Sequence, residues 1–433
     1  LPLSLVGRSS LDPGLDLDTA LTQGARRRSD TLRLVPGRMA VPGKTPVLFG
    51  RDEQLKTLVE IRKTVAEEGF KLILVSGADG SGKSQLAMRF EADLRAQGEE
   101  VLRVWCEPGG GSPFLPGRQA VDQGLDMYHR LRHSRWESPE VSVLAQLNPH
   151  LARRLGFPGP TLPIDPYAAA QAVKCLLSSD DMPVVSMFMD DLHWLDESTV
   201  VLLRHLIAQP EGVHLQMVAT HRKRDTLARS DLDELITDAC MTGTLTEVVL
   251  EPLDHAASHQ LVAAVLGPSD GDKDHRAREA LIAYTGRNAR LLESGALEWK
   301  RAGASPHDLQ FWPPAAIRSM LGRTCRALDE GDYDVIGGAA VLGTEFAVED
   351  LGTLLHRGGD EVVRALIRSE DRGLVEHRPE DPTQYRFSSA MTRDAILADL
   401  NPGIRSRLQA RLHTDVITLD RSSGCRRSGS TLP

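Results

Sequence analysis

Residues 77–84 read Gly77-Ala78-Asp79-Gly80-Ser81-Gly82-Lys83-Ser84, a G-x-x-x-x-G-K-S pattern. That spacing is chemistry for phosphate. Glycines let successive backbone N–H groups curl around phosphate oxygens, and a helix opening directly behind them adds the partial positive charge of its N-terminus. In this pattern Lys83 reaches the β- and γ-phosphates of a nucleoside triphosphate, and the Ser84 hydroxyl ligates Mg²⁺. Gln85, at the start of the following helix, is expected to share the cradle. A second signal lies downstream, where the apolar run 184–189 ends in Asp190-Asp191. Asp190 suits a metal-bound water, because Mg²⁺ keeps several waters and takes few direct carboxylates. Asp191 suits the γ-phosphate side, orienting or deprotonating an attacking water. A buried strand that merely ends on a capping Asp would look alike; the complete phosphate loop upstream decides for the metal-nucleotide reading.

Two weaker signals accompany these. Thr220-His221-Arg222 ends another apolar run, where Arg222 would sense charge on a γ-phosphate; a solvent-exposed loop Arg reads equally simply. Phe49-Gly50-Arg51-Asp52-Glu53 precedes a helical stretch. Gly50 and Arg51 there would frame a base and ribose, though a turn plus an acidic helix N-terminus explains the same residues. His193 and Trp194 either line the site or pack. The other histidines show no metal-ligand spacing and read as structural. There is no nucleophile elbow, no kinase H-R-D or D-F-G set and no cyclase constellation.

The elements that must position these residues alternate. Short apolar strands are expected at 72–76, 101–106, 184–190, 215–220 and 245–250, with helical spacing between them at 84–97, 168–177 and 198–208. That alternation predicts an α/β fold: a parallel sheet covered by helices on both faces, with ligands at the carboxyl ends of its strands. Helices follow at 255–266, 276–284 and 289–301. Pro313-Pro314 opens a further helix through residue 328, then helices at 334–342, 348–355 and 360–372, and a two-stranded hairpin at 374–377 and 384–387 around Glu380-Asp381-Pro382. Helices followed by a hairpin are the plan of a winged helix. The expected organisation is a disordered linker over 1–46, a P-loop NTPase domain over 47–253, a helical lid over 254–310, a winged-helix domain over 311–415 and a disordered tail over 416–433.

The bulk numbers bound the partners. A chain of 433 residues has room for two or three domains. A formal net charge of −9 argues against a broadly basic nucleic-acid surface, and Arg26-Arg27-Arg28 reads as a solvated charge cluster. Five cysteines, Cys106, Cys175, Cys240, Cys325 and Cys425, lie scattered with no C-x-x-C pair, which fits reduced thiols in a cytoplasm. No apolar run approaches the ~18–20 residues that span a bilayer, and residues 1–6 lack the basic flank of a signal peptide. The first residue is Leu rather than Met, as in a fragment or after an alternative start codon.

Together these motifs resemble the signal-transduction ATPases with numerous domains (STAND), specifically the AAA-type, Orc1-like module of large LuxR-type transcriptional regulators, with related modules in some adenylate or guanylate cyclases and serine/threonine kinases. The likeness runs from Val47 to about His413. The family's Gly-Arg-Glu entry resembles Gly50-Arg51-Asp52, and its acidic motif resembles Asp190-Asp191-Leu192-His193-Trp194-Leu195-Asp196. Its sensor arginine corresponds to Arg222, and its Leu-x-Pro-Leu exit to Leu250-Glu251-Pro252-Leu253. The strings Ala339-Ala340-Val341-Leu342-Gly343-Thr344-Glu345-Phe346 and Leu412-His413 are similar to its winged-helix part. Two departures stand out. The lid motif Gly-Asn-Pro is blurred at Gly286-Arg287-Asn288-Ala289, and the family's Phe-x-His is Phe387-Ser388-Ser389 here.

The resemblance implies ATP/ADP and Mg²⁺ as ligands and a nucleotide switch with slow hydrolysis, in which Asp191 and Arg222 serve catalysis. It implies a closed ADP form, an ATP form that self-associates, and an effector domain or protein outside this chain. Two alternatives stand beside that reading. One is the ATPase module of a cyclase or kinase. The other is an Orc-like DNA-acting ATPase, against which the acids Asp360, Glu361, Glu370 and Asp371 stand beside Arg364, Arg368 and Arg372. Direct DNA contact by this chain and membrane insertion are not expected.

Overall fold

Five strands, the central three of them buried on both faces, organise the N-terminal part of the chain. In the computed structural model, residues 47–107, 113–130, 139–148, 152–153, 164–177, 184–210, 212–221, 229–268, 271–302, 313–326 and 328–424 are described. The strands are β1 (Lys71–Gly77), β2 (Val101–Trp105), β3 (Val185–Asp190), β4 (Leu215–Thr220) and β5 (Leu245–Leu250). They lie in the order β2-β3-β4-β1-β5 and pair in parallel throughout. This is the α/β P-loop NTPase sheet that the alternating pattern predicts. Side chains alternate across a strand, so each strand feeds two apolar layers. Leu72 and Leu74 of β1 join Met187, Met189, Met217 and Ala219 on one face. Ile73 and Val75 join Phe188, Val218 and Val248 on the other.

Helices cover both layers. On the second face lie α1 (Asp52–Glu68) and α2 (Lys83–Ala96), which bring Leu58, Leu86 and Phe90 onto β1. Phe90 meets Phe188 edge-on, with ring centroids 5.8 Å apart. On the first face lie α3 (Leu115–Arg130), α4 (Pro139–Leu147), α5 (Pro166–Leu177), α6 (Glu197–Ala208) and α7 (Ser230–Met241), supplying Val121, Leu144, Ala169, Leu203 and Leu235 among others. β4 sits between β1 and β3. The end of β4, at Thr220, therefore stands between the phosphate loop and the acidic pair.

Three helices follow: α8 (His255–Leu266), α9 (Gly271–Tyr284) and α10 (Ala289–Ala302). Leu261, Leu281, Leu292 and Trp299 form their shared core. The C-terminal part contains α11 (Ala315–Arg326), α12 (Glu330–Leu342), β6 (Glu345–Ala347), α13 (Val348–Leu355), α14 (Gly359–Asp371), β7 (Val375–Arg378), β8 (Asp381–Phe387), α15 (Ala390–Asp399) and α16 (Pro402–Gly424). The expected hairpin gains a third strand: β6 pairs antiparallel with β8, giving the order β6-β8-β7. Helix α12 opens at Glu330 rather than Asp334, because Glu330 and Asp332 in its first turn suit the positive end of the helix. Helix α16 runs past the expected boundary at residue 415. The expected linker over 1–46, residues 303–310 of the expected lid, and residues 425–433 of the expected tail lie outside the described residues. No helix among the described residues is long and apolar enough to cross a membrane.

Candidate functional site

The phosphate loop leaves β1 at Gly77 and enters α2 at Lys83. Its turn rests on left-handed backbone at Gly80 (φ 81°) and Gly82 (φ 101°), which L side chains rarely adopt. Gly80 is also closely approached: a Cβ there would lie 2.7 Å from Asn288 Oδ1 and 2.8 Å from Arg290 Cβ. Lys83 Nζ donates to the carbonyls of Gly77 at 2.8 Å and Ala78 at 3.0 Å. The ammonium thus sits across the mouth of the loop, and an anionic ligand can outcompete these two backbone oxygens for it.

The acidic wall faces it. Ser84 Oγ donates to Asp190 Oδ1 at 2.9 Å, joining the first turn of α2 to the end of β3. Thr220 Oγ1 also donates to Asp190 Oδ1 and accepts the backbone N–H of Asp191 at 2.9 Å. Asp191 is left-handed, with φ 60° and ψ 57°. A non-glycine residue held there is worth noting, although Asp tolerates it better than most. The conformation turns the chain out of β3 into a single 3₁₀ turn at Leu192–Trp194. Arg229 Nη1 donates to the carbonyls of His193 and Leu195, clamping that turn from outside. His193 is buried and packs at a tilt on the half-exposed Trp194. Asp196 caps α6 by accepting from Thr199 N at 3.0 Å, and it also accepts the N–H of Phe114 at 2.9 Å. The last acid of the motif is therefore a buried helix cap and loop tie.

The third wall is the entry segment. Gly50 (φ 60°) lies against Ala257 of α8 so closely that a Cβ would come within 2.4 Å. Arg51 is buried and donates through Nη2 to the carbonyls of Ser81 at 3.2 Å and Glu251 at 2.6 Å. Burial lowers its pKa from the ordinary guanidinium value, against the opposing charges of Asp254 and Glu251. Its Nε is buried without a hydrogen-bond partner among the described residues. A cleft opens beside it, lined by Leu48, Phe49, Ser81, Gly82, Gln85, Leu253, Leu261 and Ala289. One flank of that cleft is apolar and the other is the phosphate loop, which suits a flat base joined to phosphates.

Sequence reasoning placed the lid motif here only by resemblance, and the structure gives its residues contacts that spacing did not foretell. Asn288 Nδ2 donates to the carbonyl of Asp79 at 2.7 Å, while Asn288 Oδ1 caps α10 by accepting from Leu291 N at 3.2 Å. Arg290 N donates to Gly80 O at 3.1 Å. Two residues before Asn288, Gly286 (φ 61°) abuts the C-terminal part, where a Cβ would lie 2.6 Å from Ser388 O and 3.1 Å from Ser389 Cβ. Ser389, standing where the resembled family has His, caps α15 by accepting from Thr392 N at 3.0 Å. Tyr284 Oη donates to Asp394 Oδ2 at 2.9 Å beside this seam, and burial first, then Asp394, pushes the phenol's pKa upward. The signal that points to Asn288 is an N-cap residue directly ahead of an apolar helical run.

Of the expected site residues, Gly50, Arg51, residues 77–85, Asp190 and Asp191 converge at the carboxyl ends of β1 and β3. Arg222 lies outside the described residues.

Residues 47–218 match the family model described as AAA ATPase domain. A light-independent protochlorophyllide reductase iron-sulfur ATP-binding protein from Synechococcus sp. (strain RCC307) is 27% identical over 161 residues, 37% of this chain and 47% of that protein. The chain thus spans about half the length of that curated relative. Among solved structures, the Walker-type ATPase of Pyrococcus abyssi aligns over 81% of this chain and 96% of its own, with a TM-score of 0.52 at 13% identity. That likeness concerns the fold. A STAND protein with a tetratricopeptide repeat sensor from Pyrococcus horikoshii aligns over 86% of this chain and 46% of its own, with a TM-score of 0.36 at 16% identity. The Aeropyrum pernix Orc1 protein in complex with DNA aligns over 83% of this chain and 95% of its own, with a TM-score of 0.38 at 16% identity. The chain contains an AAA-type P-loop ATPase domain.

Proposed function

We propose that this AAA ATPase domain makes the chain a nucleotide switch: a cytoplasmic, ATP-binding and slowly hydrolysing ATPase that regulates transcription or signalling. Residues 254–310 serve as its lid and 311–415 as a winged-helix module that packs on the lid. The observation that carries the reading is the turn 286–290, which touches the phosphate loop through Asn288 and Arg290 and the C-terminal part through Gly286. A ligand moves a conformational equilibrium only through unequal interaction with the two states. One short turn in contact with both units supplies the means for such inequality.

The residues present fit Mg·ATP. The loop supplies left-handed glycines, Lys83 rests on replaceable carbonyls, and Ser84 and Asp190 already meet at 2.9 Å. Gly77, Ala78, Asp79, Gly80, Ser81, Gly82, Lys83, Ser84 and Gln85 would hold the phosphates, Gly50 and Arg51 the nucleoside side, and Ser84 with Asp190 the Mg²⁺. Bound Mg·ATP supplies an activated γ-phosphoryl group. Asp191 orients a water and takes its proton, with its backbone fixed by Thr220. Arg222, two residues after β4 in the sequence, would read γ-phosphate charge. Asp rather than Glu at the second acid position, Asp191, suits slow turnover.

The regulatory reading is favoured over a DNA-gripping one by Arg368. Its guanidinium is committed to the buried Asp332 through two bonds of 2.5 Å, and that pair raises its pKa. It is therefore not available to a phosphate backbone. In the ATP form the chain self-associates, and the effector is a domain or protein outside it. Size-exclusion chromatography with light scattering, run with ADP and with a non-hydrolysable ATP analogue, tests the switch. The expected outcome is a larger species with the analogue; identical distributions would sink the reading.

A further inference from the structure

Far from the phosphate loop in sequence, α8 and α9 bring four side chains of metal-ligating type together. His255 and His259 stand four residues apart on α8, and His275 and Glu279 stand four apart on α9. Residues at i and i+4 share one helix face, so each helix presents a pair. The pairs face each other. His255 Nε2 lies 3.0 Å from Glu279 Oε2, and His259 Nε2 lies 2.6 Å from Glu279 Oε1. The ligand atoms of His255, His259 and Glu279 all fall within 4.8 Å of one another. His275 Nε2 is 3.8 Å from the same carboxylate, and its ring stacks on His259 with centroids 5.6 Å apart. His255 and His259 also contact each other, at 4.7 Å between centroids.

We infer that His255, His259 and Glu279, with His275 beside them, form a binding site for a borderline divalent transition metal of the Zn²⁺ or Ni²⁺ class. In a tetrahedral site with bonds of about 2.0–2.1 Å, neighbouring donor atoms lie about 3.3 Å apart, within the range here, where Glu279 is 2.6 and 3.0 Å from the two imidazoles and no two donors are more than 4.8 Å apart. Two histidines at i and i+4 on one helix are an established way to seat such an ion. Imidazole nitrogens select this class, whereas Mg²⁺ and Ca²⁺ take oxygen donors. The donors are reachable from solvent, with His255 65% and His259 28% exposed. The expectation that these histidines show no metal-ligand spacing misses the i, i+4 pair His255 and His259, because the third donor, Glu279, lies on a separate helix. The ion would staple α8 to α9. Helix α8 also carries Leu261, which lines the cleft beside the phosphate loop, so the staple would stiffen one wall of that cleft.

The test is isothermal titration of NiCl₂ into the untagged full chain, stripped with chelator and free of nucleotide. One equivalent should bind to the parent and to Asp190→Asn, which separates this site from the one at Ser84. Alteration of even a supporting partner weakens metal binding about 10–100-fold. Loss of a ligand in His259→Gln or Glu279→Gln should therefore weaken it by at least about a hundredfold. Thermal melts in chelator check that both variants fold. No binding by the parent, unchanged affinity in both folded variants, or loss of the equivalent in Cys240→Ser would each overturn the assignment.

Discussion

Replacing Asn288 isolates how much the phosphate loop depends on the lid. The side chain does two things: it caps α10 through Leu291 N and bridges to the Asp79 carbonyl. Asn288→Ala removes both. Loss of an N-cap costs about 1 kcal/mol, and loss of one neutral hydrogen bond about another 1 kcal/mol. The two together give about 2 kcal/mol against the docked lid. Asn288→Ser keeps a capping oxygen but is too short to reach Asp79, so it loses only the bridge, about 1 kcal/mol. If that bridge holds the loop in its binding shape, the Ser variant should bind nucleotide about fivefold more weakly, and the Ala variant about thirtyfold. Titration with a fluorescent ATP analogue, alongside melts that confirm folding, reads these directly. Affinities within about twofold of the parent for both variants would refute the reasoning and leave the loop self-supporting.

Other outcomes are expected at the site and away from it. Lys83→Ala should abolish Mg·ATP binding, since it removes the cation at the mouth of the loop; unchanged binding in a calorimeter would remove the phosphate assignment. Asp191→Asn should retain nucleotide affinity while slowing phosphate release by about 10²-fold or more, as expected when a proton acceptor is lost; equal turnover would take Asp191 out of catalysis. Thiol titration at pH 8 should label Cys240 rapidly, because it is exposed, while Cys106 and Cys325 stay silent until the chain is unfolded. Burial, with the charge of Asp399 adding, pushes the Cys325 thiol up to about 12, so fast labelling of Cys325 would contradict its packing.

Much of the sheet and of the nucleotide cleft is legible in the chain because it is written locally. Each strand is a short apolar run, and β4 and β5 fall where the pattern puts them. The phosphate loop carries its own turn chemistry. What was not legible depends on contacts between distant residues. Arg51 reaches Glu251 across the fold, and no spacing rule pairs them. Strand β6 is only three residues long and becomes a strand because β8 offers it a partner. Asp196 reads as part of an acidic motif, yet its burial and its bonds to Thr199 and Phe114 make it a cap. Asn288 looks like an ordinary cap, and its bond to Asp79 exists only because α10 starts beside the loop.

Helix α10 has the geometry of an unequal lever. Its first turn is tied to Asp79 and Gly80, and Leu291, three residues on from Asn288, belongs to the apolar core of the C-terminal part. Trp299, near its far end, belongs to the core of the lid. At 1.5 Å rise per residue, Leu291 lies about 4.5 Å from Asn288 along the axis and Trp299 about 16 Å. A tilt about the tied end therefore carries Trp299 nearly four times as far as Leu291. Because Leu292 belongs to the lid core and Gly295 lies near Met391 of the C-terminal part, both bodies are held on the short arm, and the lid core alone extends to the long one.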